Sequence, residues 1–351
     1  MQDSRIIENR HFNRREKSYY FKMIKNFAFI FSVCFVISCK EELKTKRITG
    51  TVFGTAYSVQ YATYNDDADL EVQFDKLFYE INASMSTYQV NSIISKINNN
   101  EEAIIDAHFE TVFDASKTIC KNTQGAFDPT IGVLVNAWDF GPEGKIANLD
   151  SLKIDSLMGS VGFDKVSLFE NVVLKLNKET RLDFNAIAKG YGVDVISAYL
   201  NTQNITDYLV EIGGEIRVSG INTTSGNAWR IGVENPNFDG SQSIMKAISL
   251  SDESMATSGT YRKYKIDKYG NRYAHIIDAK TGYPSKTSLL SISVIAKDCM
   301  SADAYATAFK AMGIEKVKVF LKKHPELKVF LIFENENKEL ETLSLNGFPE
   351  E

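Results

Sequence analysis

Between Ile48 and Phe333 the chain switches repeatedly between the hydrophobic periods of strand and helix, never in the regular β-α-β order that builds a parallel sheet. Period-two alternation comes first, in ITGTVFGTAYSVQYATY (48–64), where Gly50 and Gly54 signal a bend or a close backbone approach. Helical spacing follows in Leu70, Phe74, Leu77, Phe78 and Ile81, between Asp66 and Met85. A second amphipathic helix runs from Phe109 to Asn122 and stops near Gly125. Ile131 to Trp138 reads as a short helix, 140–144 as a loop, 165–184 as short strands with polar turns, and Asn185 to Leu200 as a helix with two glycines. Tyr208–Ile212 and Glu215–Ser219 are predicted to pair as a hairpin across Gly213-Gly214. Strands at 228–234, 244–250 and 288–296 precede an Ala-rich helix (300–312), a further helix (314–323) and a late strand (329–333). The pattern predicts an α+β fold, mixed or antiparallel sheets with packed helices, and no fixed-period repeat or composition shift divides it.

The N-terminus carries a different signal. Residues 1–22 are polar and charged, as expected of an extension from a misplaced start codon, and are set aside for fold reasoning. Residues 23–38 read as a signal peptide: Lys25 is the positive n-region and Phe27 to Ile37 the apolar run, too short to span a bilayer comfortably. The run ends in Val36-Ile37-Ser38-Cys39, which resembles the bacterial lipobox. That resemblance implies cleavage before Cys39 and lipidation of its thiol; the competing readings are an uncleaved signal anchor and a plain secretory peptide. A charged tether (39–47) then leads into one domain, 48–346.

With 40 Lys and Arg against 45 Asp and Glu, the chain lacks the basic footprint of a nucleic-acid binder. The four histidines (His11, His108, His275, His324) are scattered and no CxxC exists, which argues against a zinc centre. Cys120 and Cys299 are the cysteines left in the domain, either as a disulfide or as two buried thiols.

Four constellations carry chemistry. Asp303 and Thr307 sit four apart on one helix, so a carboxylate and a hydroxyl share a face; hard oxygens of this kind suit Mg²⁺, and a solvated face is the plainer reading. LDFNAIAKGYG (182–192) sets Asp183, Lys189 and two glycines at a strand-to-helix junction, which fits a diphosphate seat or a close helix–sheet contact equally. GAFDPT (125–130) puts an aromatic beside an acid in a Gly/Pro-bounded loop, or is simply an Asp-Pro turn. In AHIID (274–278), His275 on a strand is a candidate base, since imidazole titrates near neutrality, although a lone strand histidine is more often structural.

Taken together these segments resemble the ApbE family of FAD:protein FMN transferases. The matching stretches are GTAYSV (54–59), MSTY and SIISKIN (85–98), GAFDPTIGVLVNAW (125–138), LDFNAIAKGYGVD (182–194), YLVEIGGEIRVSG (208–220), WRIGVENP (229–236), MATSGTYRKY (255–264), HIIDAKTGYP (275–284) and SADAYATA (301–308). They fall in the family's order. Phe53 stands where the family usually has Met, and Ala279 where it usually has Pro.

The resemblance implies an ApbE-like α+β fold with FAD in an extended groove. It implies FAD contacts at Tyr88, Ala126, Phe127, Asp128, Asp183, Lys189 and Ile277, Mg²⁺ on Asp303, Thr307 and the carbonyl of Ala186, and His275 as the base. The implied activity is Mg²⁺-dependent transfer of FMN from FAD to a Thr or Ser hydroxyl of an acceptor protein, with release of AMP. The implied acceptor is a redox-pump subunit or an exported electron carrier, and the enzyme is expected on the periplasmic side of a membrane. A metal-dependent FAD hydrolase and a non-catalytic FAD-binding lipoprotein are the rival expectations.

Overall fold

The computed structural model describes residues 42–64, 69–261, 264–266 and 272–350, and from Lys44 onward the chain packs as one compact unit. The expected extension, signal peptide and lipidated Cys39 lie outside the described residues. Among the described residues no helix is long and apolar enough to cross a membrane.

The chain opens with a hairpin, β1 (Lys44–Val52) and β2 (Thr55–Thr63), turned at Phe53-Gly54, both with positive φ. β1 therefore takes in Lys44–Arg47, the end of the expected tether. It is an edge strand, where exposed charges such as Lys44 and Arg47 are tolerated. Four helices follow: α1 (Leu70–Met85), α2 (Ile93–Asn98), α3 (Ala107–Asn122) and α4 (Gly132–Ala137). After α5 (Ser151–Met158) comes the small hairpin β3 (Val166–Phe169) and β4 (Val172–Lys175), then α6 (Ala188–Thr202). β5 (Tyr208–Ile212) and β6 (Glu215–Ser219) pair across Gly213-Gly214 as expected. β7 (Trp229–Glu234) and β8 (Ile244–Leu250) form another hairpin; β9 (Ser254–Gly259), β10 (Tyr264–Ile266), β11 (Arg272–Ala274) and β12 (Leu289–Ala296) follow. The chain closes with α7 (Cys299–Met312), α8 (Ile314–Leu321), β13 (Lys328–Glu334) and β14 (Leu340–Leu345).

Eight strands make the main sheet, in the order β1-β2-β5-β6-β9-β12-β13-β14, and every pairing in it is antiparallel. The fold class is α+β. One face buries Val59, Val210 and Ile212 against Phe74 and Phe78 of α1 and Val193, Ile196 and Leu200 of α6. Further along, Ile292, Val294 and Leu331 pack against Phe109 and Phe113 of α3 and Ala302, Ala306 and Phe309 of α7. The opposite face is covered by the β7–β8 hairpin, whose Trp229, Ile231, Val233 and Ile248 meet Val218, Ile295 and Ile332. β12 is buried at every position because it lies between these layers. Cys120 and Cys299 are buried free thiols; burial pushes the Cys120 pKa up to about 12, which leaves it unreactive.

Candidate active site

The site begins at the crossing of α6 and α7. Ile187 precedes α6 and gives no side-chain cap, so the first N–H groups of that helix need partners from elsewhere. One comes from α7: the N–H of Gly190 donates to Asp303 Oδ2 at 3.0 Å. The favour is returned at the other N-terminus, where Asp194 of α6 accepts from the N–H groups of Cys299 (3.0 Å) and Met300 (2.8 Å). Each helix thus supplies an acid to the positive end of the other, which fixes their mutual position. Burial raises the pKa of Asp194 to about 6.

The approach needs glycine. A Cβ on Gly190 would lie 2.3 Å from the Cys299 carbonyl oxygen and 2.9 Å from Asp303 Cβ, and one on Gly192 would strike the Phe53 ring at 2.7 Å. The two glycines of this helix are explained by close packing, and Phe53 is part of that packing. Gly190→Ala is expected to lower stability by about 1–3 kcal/mol, since the obstructing atom is backbone and cannot swing away. Urea unfolding measures this, and wild-type stability would show that α6 and α7 separate freely.

Beside Asp303 lie Lys189 and Glu215. Lys189 Nζ is 2.5 Å from Glu215 Oε1. Burial pulls the lysine pKa down, yet the carboxylates of Glu215 and Asp303 outweigh it and the group ends above the usual lysine value. Burial holds both carboxyls above their ordinary values against the pull of Lys189. Asp303 is 5% exposed, and Thr307 lies one turn further along the same face of α7.

A cavity of about 330 Å³ adjoins the chain entering α6, lined among others by Tyr88, Asn98, Asn136, Arg181 and Asp183. Asn98 builds its wall: its side chain accepts from the Leu182 N–H (2.7 Å) and donates to the Leu182 carbonyl (2.8 Å), so it clamps the LDFN segment as a strand partner would. Asp183 accepts from the N–H of Asn185 at 2.7 Å. Tyr88 is 59% exposed, and its hydroxyl donates to the Phe140 carbonyl at 3.3 Å. Burial, then the charge of Asp183, pushes its pKa up.

Phe140 links this cavity to His275. The imidazole meets the Phe140 ring edge-to-face at 6.2 Å. His275 is not on a strand: β11 ends at Ala274, and His275 stands in the bend after it. The loop beyond is tied down by Ser285 N–H to the Ile276 carbonyl (2.8 Å), Gly282 N–H to the Asp278 carbonyl (2.8 Å) and Trp138 Nε1 to the Gly282 carbonyl (2.8 Å). It is closed without the proline that Ala279 replaces.

Three predicted contacts turn inward. Phe127 is 3% exposed and belongs to the core of α3 and α7. Ile277 packs with Val133, Leu134, Phe140 and Val161, so only its main chain is free to meet a ligand. Asp128 Oδ1 accepts from the N–H (2.9 Å) and hydroxyl (2.6 Å) of Thr130, fastening its own loop, and burial raises its pKa. Ala126 is half-buried and faces a separate groove of about 410 Å³ between α3 and α8. Sequence reading missed Asn98, Phe140, Asp194 and Glu215. Asn98, Asp194 and Glu215 stand in the family-like stretches, but nothing local marks what they bind.

The donor set suits a hard cation. Asp303 offers a carboxylate and Thr307 a hydroxyl on the same face, and Ala186 lies in the half-buried segment just before α6. Oxygen donors of this kind suit Mg²⁺, a cation that keeps several of its own oxygens, better than Zn²⁺.

An eight-stranded antiparallel sheet packed with helices, and an acid–lysine cluster where two of those helices cross, define an α+β protein. Solved structures share this architecture. The flavin transferase ApbE from Vibrio cholerae superposes with a TM-score of 0.78 at 33% identity, covering 86% of this chain and 97% of that one. The apo flavinyl transferase ApbE of Pseudomonas stutzeri gives 0.77 at 28% identity, covering 86% and 95%. Among curated relatives, a FAD:protein FMN transferase of Vibrio cholerae serotype O1 is 36% identical over 293 residues, 81% of this chain and 86% of that one. One from Haemophilus influenzae is 35% identical over 332 residues, 90% and 94%. The profile of the ApbE family matches residues 53–331, and the chain belongs to the ApbE family.

Proposed function

We propose that this chain transfers FMN from FAD to a hydroxyl of an acceptor protein. The observation that carries the reading is the buried Asp303–Lys189–Glu215 cluster at the α6–α7 crossing of a chain in this family. Lys189 supplies a cation for a diphosphate, and Asp303 a hard oxygen for a divalent cation beside it.

FAD would meet Tyr88 and Asp183 at the cavity and the ammonium of Lys189, with further contacts on the main chain around Ala126, Phe127, Asp128 and Ile277, of which Ala126 faces the second groove. The Asp303 carboxylate, the Thr307 hydroxyl and the Ala186 carbonyl would hold Mg²⁺, which would supply positive charge to the diphosphate oxygens. An imidazole nitrogen of His275 takes the proton from a Thr or Ser hydroxyl of the acceptor, and Phe140 holds that ring beside the cavity. The deprotonated oxygen bonds to the phosphorus of the FMN half. The diphosphate bond breaks and AMP leaves with its electron pair. The rest is positioning.

The acceptor class is a membrane redox-pump subunit or an exported electron carrier. The test incubates the protein with FAD, Mg²⁺ and candidate acceptors. Flavin fluorescence that survives denaturing electrophoresis on the acceptor, with AMP released in step, is the expected result. AMP released at the same rate with water alone, and no labelled acceptor, would establish the hydrolase instead.

The membrane location rests on Val36-Ile37-Ser38-Cys39 behind a short apolar run. Cys39→Ser is expected to shift the protein from the membrane to the soluble fraction or leave the precursor uncleaved. Wild-type processing and fractionation of that variant would end the lipoprotein reading.

A further inference from the structure

Glu215 has no part in the steps above. It opens β6 directly after Gly213-Gly214, whose φ values of +63° and +98° turn the chain tightly enough to pair Ile212 with Glu215. The strand turns this side chain inward, where it is 3% exposed. Oε1 meets Lys189 at 2.5 Å, while Oε2, equally buried, has no hydrogen-bond partner. The Lys189 side chain keeps 29% of its surface.

Stability does not account for this carboxylate. A buried ion pair often returns less than its desolvation costs, and an apolar side chain would serve this strand at least as well. A carboxylate kept to knit the fold together normally uses both oxygens. What Glu215 does have is a close contact with the ammonium of Lys189, whose side chain is still partly exposed. A lysine ammonium is a compact charge on a flexible four-carbon stem, so it stays in one place only where a second group holds it.

We propose that Glu215 is the positioning residue of Lys189, holding its ammonium at the α6–α7 crossing where the nucleotide diphosphate would meet it. The proposal rests on the reading of Lys189 as a diphosphate contact. Glu215 does not touch the nucleotide. It fixes where the positive charge stands before FAD arrives, so that ordering of the lysine stem is not charged against binding.

The full-length chain is tested as wild type, Lys189→Met, Glu215→Gln, the double variant and Glu215→Asp. FAD binding with Mg²⁺ present is read from flavin fluorescence, with riboflavin, which lacks the diphosphate, as the control probe. Lys189→Met and Glu215→Gln should each weaken FAD by about tenfold or more, the scale of one charge-assisted contact. The double variant should be no weaker than the weaker single one, because both remove the same contact. Riboflavin binding should stay at the wild-type level, and Glu215→Asp should fall between wild type and Glu215→Gln. If Lys189→Met weakens FAD and Glu215→Gln does not, or if the two losses multiply, the proposal is overturned and the Lys189 reading stands. If Lys189→Met binds FAD as wild type does, the Lys189 reading falls and takes the proposal with it. Should Glu215→Gln not fold, Glu215→Asp decides: weaker FAD at an unchanged melting temperature supports the proposal, and wild-type affinity overturns it.

Discussion

His275→Ala is expected to lower FMN transfer by about 10²–10⁴-fold, the usual cost of losing one general base, while FAD binds much as before. The ring is half-buried at the end of β11, against Phe140, whose carbonyl accepts from Tyr88 at the cavity wall. Its removal leaves the loop closed, because the bonds that close it run through the main chain of Ile276, Asp278, Gly282 and Ser285 and through Trp138. The fold should therefore survive, with a melting temperature near that of wild type. Single-turnover transfer at saturating FAD and acceptor isolates the chemical step. A rate equal to wild type under those conditions removes His275 from the reaction. A loss that saturating FAD repairs would make it a binding residue.

Asp303→Asn is expected to raise the Mg²⁺ concentration needed for half-maximal transfer by at least about 10–100-fold. Loss of a mere supporting partner at a metal site costs that much, and here the proposed site loses its one carboxylate. The structure alters how the variant must be judged. Asp303 is 5% exposed rather than set in an open cleft, and its Oδ2 serves the Gly190 N–H. Asparagine retains a carbonyl oxygen for that bond. It also relieves a cluster in which two carboxylates, Asp303 and Glu215, face the single ammonium of Lys189. The fold should be little weakened. Thr307→Val removes a neutral ligand and should give a smaller shift in the same direction. Transfer is titrated with Mg²⁺ for wild type and both variants, starting from EDTA. Full wild-type activity in EDTA, or an unchanged titration for Asp303→Asn, would falsify the metal assignment.

Much of the fold was legible because it is local. The β5–β6 hairpin lay where Gly213-Gly214 put it, since two consecutive positive-φ residues make a tight turn almost without regard to surroundings. α1, α3 and α7 followed from the spacing of residues that do face the core, such as Phe74, Phe78 and Ile81, or Phe109 and Phe113. α2, α5, β9, β10 and β14 were not read. They are short and weakly patterned, and β9 becomes a strand because β6 and β12 flank it.

The site divides in the same way. The sequence by itself determined which reactive groups are present: Asp303 and Thr307 one turn apart, Lys189 at the start of a helix, His275 just before Ile276-Ile277. It also determined the family, because many weak stretches stand in one order. Only the tertiary structure decided what those groups do to one another. Asp128, Phe127 and Ile277 looked like a ligand wall and were drawn into loop and core. Glu215 looked like an ordinary strand residue and became the partner of Lys189, 26 positions earlier in the chain. Asp194 and Asp303 cap each other's helices across 109 positions. Composition and periodicity act over a turn or a strand, whereas the orphan N–H groups of one helix are satisfied by whichever acid the packing brings within 3 Å, and no local pattern records that choice.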